Sequence, residues 1–239
     1  MIEEGIANGR YVVTEDNTLR DLKPFQDFLT WNFKSSLLLS KIKPTSNQPA
    51  FLYGTAKTHK FQNPEQITKD NLKLRLIVST CGTFYYETAK FLASYLLPLT
   101  ENEYSIKTTT DFAEHLSNRT VDDDEVLVSH DVSSLFTEVP LDETIDHIIH
   151  EIYTNNKLPQ LSSKLLFRRL LCNVTKNTVF SFNDKLYKQI DGCGMGNPLS
   201  PVLANIFMAK LEADVVWPFN LPFYDQYVDD ALFEQLNHY

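Results

Sequence analysis

The chain has 239 residues, 43% of them hydrophobic, which suffices for one large domain or two small ones with an ample core. No apolar run approaches the roughly 18–20 residues of a bilayer span, and Met1-Ile2-Glu3-Glu4 does not open a signal peptide. Its three cysteines, Cys81, Cys172 and Cys193, have an odd count and no Cys-x-x-Cys spacing, which speaks against a disulfide framework or a zinc site and for buried, reduced thiols in an intracellular protein, nuclear or cytoplasmic.

Residues 17–41 read as helix, with Leu19, Leu22, Phe25, Phe28 and Leu29 at three- and four-residue spacing, ending before Pro44. The loop Pro44-Thr45-Ser46-Asn47-Gln48-Pro49 then separates an N-terminal helical extension, 1–43, from a unit over 44–239. Phe51-Leu52-Tyr53 and Leu74-Arg75-Leu76-Ile77-Val78 read as strands joined by a polar loop, and 84–97 as a helix. Val126 to Ser129 forms a short strand delivering Asp131. Leu141, Ile145, Ile148, Ile149 and Ile152 mark a helix after Pro140, with Asp142 and Glu143 in its favourable first turn. A helix over 162–175 leads to a hairpin turning at Asn183-Asp184. Another helix starts at Pro201, capped by Ser200, with Val202, Leu203, Ile206, Phe207 and Leu211 inward. A final hairpin near 223–235 carries Asp229-Asp230 at its turn. No internal repeat or low-complexity tract is present.

A net charge of −9 opposes a simple nucleic-acid binder, but the charge is uneven. Residues 100–151 hold fourteen acids against Lys107 and Arg119, whereas 51–75 carry Lys57, Lys60, Lys69, Lys73 and Arg75 against Glu65 and Asp70. An acidic floor suits divalent cations and a basic wall suits phosphates. The Tyr227-Val228-Asp229-Asp230 tetrapeptide is weak alone. It gains weight because Asp131 follows Val126-Leu127-Val128 and a Gly-rich turn into a helix, Gly192 to Ala204, lies between them. Palm-type polymerases present metal ligands in this order, and hard oxygen ligands of this kind hold two Mg²⁺ ions about 3.5–4 Å apart. The run Asp122-Asp123-Asp124-Glu125 reads instead as a solvated loop.

Five blocks together resemble the reverse transcriptases of Penelope-like retroelements. They are Leu52-Tyr53-Gly54-Thr55-Ala56-Lys57-Thr58-His59-Lys60, Arg75-Leu76-Ile77-Val78-Ser79, Asp131-Val132-Ser133-Ser134-Leu135-Phe136-Thr137, the run from Gly194-Met195-Gly196-Asn197-Pro198-Leu199-Ser200-Pro201 to Ile206, and Tyr227-Val228-Asp229-Asp230. They stand in family order across 51–230, and the Gly-Met-Gly-x-Pro-Leu-Ser-Pro block is the most specific. The resemblance implies an α+β fold of right-hand polymerase fingers and palm: an antiparallel palm sheet with packed helices, the thumb absent after Tyr239. It implies catalytic Asp131, Asp229 and Asp230, which with the Val132 carbonyl bind two Mg²⁺ ions, Mn²⁺ being an alternative. Lys57, Lys60, Arg75, Phe136 and Gly196 would meet a deoxynucleoside triphosphate, Phe136 as a steric gate against a 2′-hydroxyl. Gly194, Pro198 and Tyr227 would contact an RNA template and DNA primer, with no membrane partner.

Each position also has an ordinary reading: Phe136 as core, Lys60 as solubilising surface, His59 as a polar loop residue, the glycines as a plain turn. The chain departs from the family pattern at Thr55-Ala56 (Leu-Pro expected), Leu76 (Pro), His130 (Phe), Glu138 (Asn) and Gln226 (a basic residue). No GIY-YIG endonuclease is visible. Two rivals remain: a catalytically silent remnant that at most binds nucleic acid, and an RNA-dependent RNA polymerase, against which Phe136 argues.

Overall fold

The computed structural model describes residues 2–236, apart from 16–18, 34, 59–62, 64, 66, 69–70, 121–124, 177, 220 and 222. His59, Lys60 and Asp122 to Asp124 therefore lie outside the described residues.

The first surprise is N-terminal. Helix α1 (Ile2–Ala7) turns through Gly9, at φ 72°, into strand β1 (Tyr11–Thr14). The Tyr11 ring lies so close to Gly5 that no side chain fits there. The expected single helix over 17–41 is two, α2 (Leu19–Asn32) and α3 (Ser36–Ile42). Ser35 restarts the backbone as an N-cap, its hydroxyl accepting from the Leu38 N–H at 3.4 Å.

Strands β2 (Ala50–Ala56) and β3 (Leu74–Ser79) pair antiparallel, placing Thr55 opposite Arg75. Helix α4 (Tyr86–Leu96) follows, then α5 (Thr109–Ser117), started by a capping box in which Thr108 and Asp111 bond each other's backbone N–H. Strand β4 (Glu125–Asp131) leads to the short α6 (Leu135–Glu138), α7 (Leu141–Tyr153) and α8 (Lys164–Thr175). Strands β5 (Val179–Phe182) and β6 (Lys185–Gln189) form the expected hairpin, with Asn183 and Asp184 at φ 47° and 57°, the left-handed pair that a two-residue turn requires.

Helix α9 (Ser200–Leu211) corrects two expectations. Its N-cap is Leu199, with no side-chain cap, because the Ser200 hydroxyl donates to the Gly194 carbonyl at 2.9 Å instead. Leu211 is 40% exposed, because the chain widens into a π-turn over Glu212–Val216 and Glu212 takes the inward position. The last hairpin is β7 (Tyr224–Tyr227) and β8 (Asp230–Leu236). The cysteines also differ from expectation: all three are free, but only Cys193 is buried and Cys81 is exposed.

The architecture is α+β with two sheets. A five-stranded sheet runs β1-β6-β5-β2-β3, antiparallel except for the β2–β5 pair, and a three-stranded antiparallel sheet runs β4-β8-β7. The main core lies among the helices, around Leu29, Leu92, Leu96, Ile148, Phe167 and Ile206. A smaller cluster, including Tyr11, Leu52, Val78 and Phe180, sits on the five-stranded sheet. No helix among the described residues is long and apolar enough to cross a membrane.

Candidate active site

Strand β4 ends on Asp131, whose register partner on β8 is Asp230. The next residue, Val132, donates its N–H to the Asp229 carbonyl at 2.8 Å, so the strand and the hairpin turn are tied at the carboxylates themselves. The turn is Val228-Asp229, and Val228 has φ 57°. A β-branched residue in the left-handed region costs about 1–3 kcal/mol, and such strain persists only where neighbours enforce it. Gln226 is one of them: its side-chain amide donates to the Val228 carbonyl at 2.6 Å.

Asp131 and Asp229 open onto one cleft of about 680 Å³, also lined by Val132, Phe136, Lys57, Arg75 and Gly196. Lys57, just past the end of β2, and Arg75, on β3, reach it from the five-stranded sheet, opposite Asp131 at the end of β4 and Asp229 in the β7–β8 turn. Neither Asp131 nor Asp229 is paired with a basic side chain among the described residues. Phe136 is half-buried, lining the cleft and packing against the helical core at once.

The Gly-rich loop closes the cleft from below. Gly192, at φ 72°, presses on the Thr137 backbone, and Gly196, at φ 111°, sits where a Cβ would come within 2.5 Å of the Val78 carbonyl. The loop is clipped to β3: Val78 N–H donates to Met195 at 2.6 Å, and the Thr80 hydroxyl to the Gly196 carbonyl at 3.0 Å. Asn197 anchors it to α8, donating to the Val174 carbonyl at 3.1 Å, a role invisible without the third dimension. Cys193 is enclosed here, and burial pushes its thiol up to about 12, which keeps it protonated and inert.

Other expected site residues stand apart from the cleft. Asp230 and Tyr227 line a second cavity of about 270 Å³, with Phe112 and Leu232. Gly194 is buried, its carbonyl taking the Ser200 hydroxyl and the Asn197 N–H, and Pro198 is half-buried. Sequence reading missed Arg10, which lines the cleft from the start of β1 and forms an ion pair with Glu138 just past Phe136. Two other departures from the family pattern also have partners: His130 stacks on Phe233 at 5.3 Å, and Gln226 bonds Val228 and Ser105.

Behind the hairpin, Glu234 is buried and gripped by both ends of the Arg119 guanidinium, which raises the Arg119 pKa. Glu212 is buried too; burial raises its pKa, against the lowering effect of bonds from Asn102 and the Tyr224 hydroxyl.

The sequence pattern of reverse transcriptases (RNA-dependent DNA polymerases) matches residues 67–234. The chain belongs to that family. No curated protein matches it as a sequence. Among solved structures, this reverse transcriptase domain resembles telomerase from Candida albicans in complex with a TWJ fragment of telomeric RNA, at 13% identity and a TM-score of 0.54, over 98% of this chain and 46% of that one. Apo telomerase from Candida tropicalis, truncated from its C-terminal domain, gives 12% identity and a TM-score of 0.51, over 87% and 49%. At these identities the likeness is one of fold, and the chain spans about half the length of either telomerase.

The donor set fits hard divalent cations. Among the described residues no three His, Cys, Asp or Glu side chains gather as a metal-holding group. Two unpaired carboxylates facing a cleft are nevertheless what Mg²⁺ uses when substrate phosphates and water complete its shell.

Proposed function

We propose that this chain carries the RNA-directed DNA polymerase centre of a Penelope-like retroelement. Residues 44–239 form the polymerase unit, its five-stranded sheet, completed by β1 of the N-terminal segment, serving as fingers and the three-stranded sheet as palm. The observation that carries this reading is the meeting of Asp131 and Asp229 with Lys57 and Arg75 in one cleft. The retroelement assignment rests on the order and wording of the five sequence blocks.

Asp131 and Asp229, with the Val132 carbonyl, would hold two Mg²⁺ ions, while Asp230, which faces the other cavity, would act on the site only through its place beside Asp229. Bound there by Asp131 and Asp229, Mg²⁺ would supply Lewis-acid activation of the primer 3′-hydroxyl and charge neutralisation at the pyrophosphate leaving group. Arg75 and Lys57, with Lys60, take the triphosphate oxygens, so positive charge stands where negative charge builds. Phe136 forms the floor under the sugar and leaves no space for a 2′-hydroxyl. Gly196 lets the loop backbone approach the nucleotide, Tyr227, exposed at the end of β7, meets template or primer, and the buried Gly194 and half-buried Pro198 act only by shaping the loop.

The test is extension of a DNA primer on an RNA template with Mg²⁺, comparing dGTP with GTP through kcat/KM. Deoxynucleotide incorporation that vanishes with a chelator is expected, and Phe136→Val should lower the dGTP preference at least about tenfold. Incorporation of ribonucleotides as readily as deoxynucleotides by the unaltered protein would overturn the assignment.

A further inference from the structure

The basic residues used so far come from segments that the sequence blocks mark. Arg10 does not: it lies outside the family match over 67–234, yet its side chain lines the same cleft. Its backbone is fixed on both sides, the N–H donating to the Gly5 carbonyl at 2.8 Å and the carbonyl accepting from the Ile190 N–H at 2.9 Å. The guanidinium is thus presented from a sheet edge, beside Asn8, which also lines the cleft.

Where Arg10 stands decides what it can bind. It precedes β1, one edge of the five-stranded sheet, while Arg75 is on β3, the opposite edge. Four strand spacings separate the edges, about 19 Å at ~4.8 Å each. The Arg10 guanidinium is turned to Glu138, across the sheet from the Arg75 and Lys57 that would hold a triphosphate. An extended polymer of phosphates is long enough to span that separation.

We propose that Arg10, assisted by Asn8, binds a backbone phosphate of the single-stranded RNA template as it enters the cleft. In the free protein Glu138 occupies the guanidinium; the two side chains are 41% and 55% exposed, and ion pairs so open to water are weak. A backbone phosphate carries the same single charge as the carboxylate and equally offers the fork two oxygens, and its binding also releases the counterions condensed on the strand, so it displaces the carboxylate. Glu138 therefore competes with the template for Arg10. Such a contact positions the strand without reading its sequence. This inference rests on the polymerase reading for the identity of the strand, and its test separates the two.

The experiment measures binding of the full chain to a short fluorescent single-stranded oligoribonucleotide of mixed sequence across a salt series, and to Mg²⁺·dGTP by displacement of a fluorescent nucleotide. Arg10→Ala, on an exposed side chain, keeps the fold and should weaken RNA binding about three- to tenfold at low salt. It should also flatten the log Kd against log salt slope by about 0.7, the value for one lost single-strand phosphate contact. Its dGTP affinity should not change, whereas Arg75→Ala should weaken dGTP. Glu138→Gln should tighten RNA binding. An unchanged salt slope in Arg10→Ala, a loss confined to dGTP, or no RNA binding by the unaltered chain overturns the inference. If the Arg10 effect on RNA holds while primer extension is absent, the polymerase reading falls and this contact stands.

Discussion

In the helical layer, Ile145, Ile148 and Ile152 of α7 are buried outright, packed with Phe167, Leu171 and Ile206. Strand β4, which delivers Asp131, instead leaves Val126 38% and Leu127 42% exposed, and its sheet has only three strands. The first region is held by area removed from water, each enclosed aliphatic side chain contributing about 1.5–3 kcal/mol. The second is held by a few directional bonds: Arg119 on Glu234, Gln226 on Val228, Val132 on Asp229. Rigidity and exposure are thereby divided: the helical layer is sealed from water, whereas Asp131 and Asp229 stay open to the cleft.

The widest gap between the regions should appear when function is struck without touching stability. Asp131→Asn and Asp229→Asn are expected each to remove at least about three orders of magnitude of primer extension, on the order of 4 kcal/mol of transition-state stabilisation. Their melting temperatures by circular dichroism should match the parent, because neither carboxylate is in an ion pair among the described residues. Extension retained by Asp229→Asn would remove it from the metal site.

The converse cut is Ile148→Ala, which empties part of a fully buried site and should cost about 2–5 kcal/mol in urea unfolding. Leu127→Ala on the exposed strand should stay within about 0.5 kcal/mol. Equal losses at the two positions would dissolve the contrast between the regions.

Glu234→Ala falls between these. It removes the buried acceptor of Arg119 and should cost about 1–3 kcal/mol. Amide hydrogen exchange should locate the loss, β8 opening faster while α7 keeps its protection. Uniform loosening would mean that the clamp serves the whole molecule.

The smallest effect is one of pH. Because burial raises the Glu212 pKa above its ordinary 4.5, the folded state holds that proton more tightly than the unfolded chain. Its contribution is full below the ordinary carboxylate value and declines as pH rises through the raised one. Stability of the parent relative to Glu212→Gln should therefore fall with increasing pH in that window; a rise would reverse the assignment.

Much of this organisation was legible in the chain. Helix α7 announces itself by period, the Asn183-Asp184 hairpin by its turn residues, and the carboxylate-bearing segments by their wording and order. Two misses were local signals passed over: the β-branched run Tyr11-Val12-Val13-Thr14 and the Thr108-x-x-Asp111 capping box. Others had no local signal. The parallel pairing of β2 with β5 joins residues about 130 positions apart, and the Arg10–Glu138 pair spans 128. Periodicity reports which face of an element is apolar, not which distant element meets it. Asp230 illustrates the limit, since adjacency to Asp229 in sequence did not carry it to the same cavity.

The order β4-β8-β7 also has a consequence during synthesis on the ribosome. Among the described residues β4 is an edge strand paired with β8 alone, which begins at Asp230, 99 residues after Asp131. At roughly 5–20 residues per second, Val126-Leu127-Val128 waits about 5–20 s after translation before its partner exists. An unpaired apolar edge is a template for pairing with another nascent chain. The acidic run Asp122-Asp123-Asp124-Glu125 immediately before it supplies the like-charge repulsion that keeps two such edges apart. Like charge at that point opposes such pairing until β8 is available.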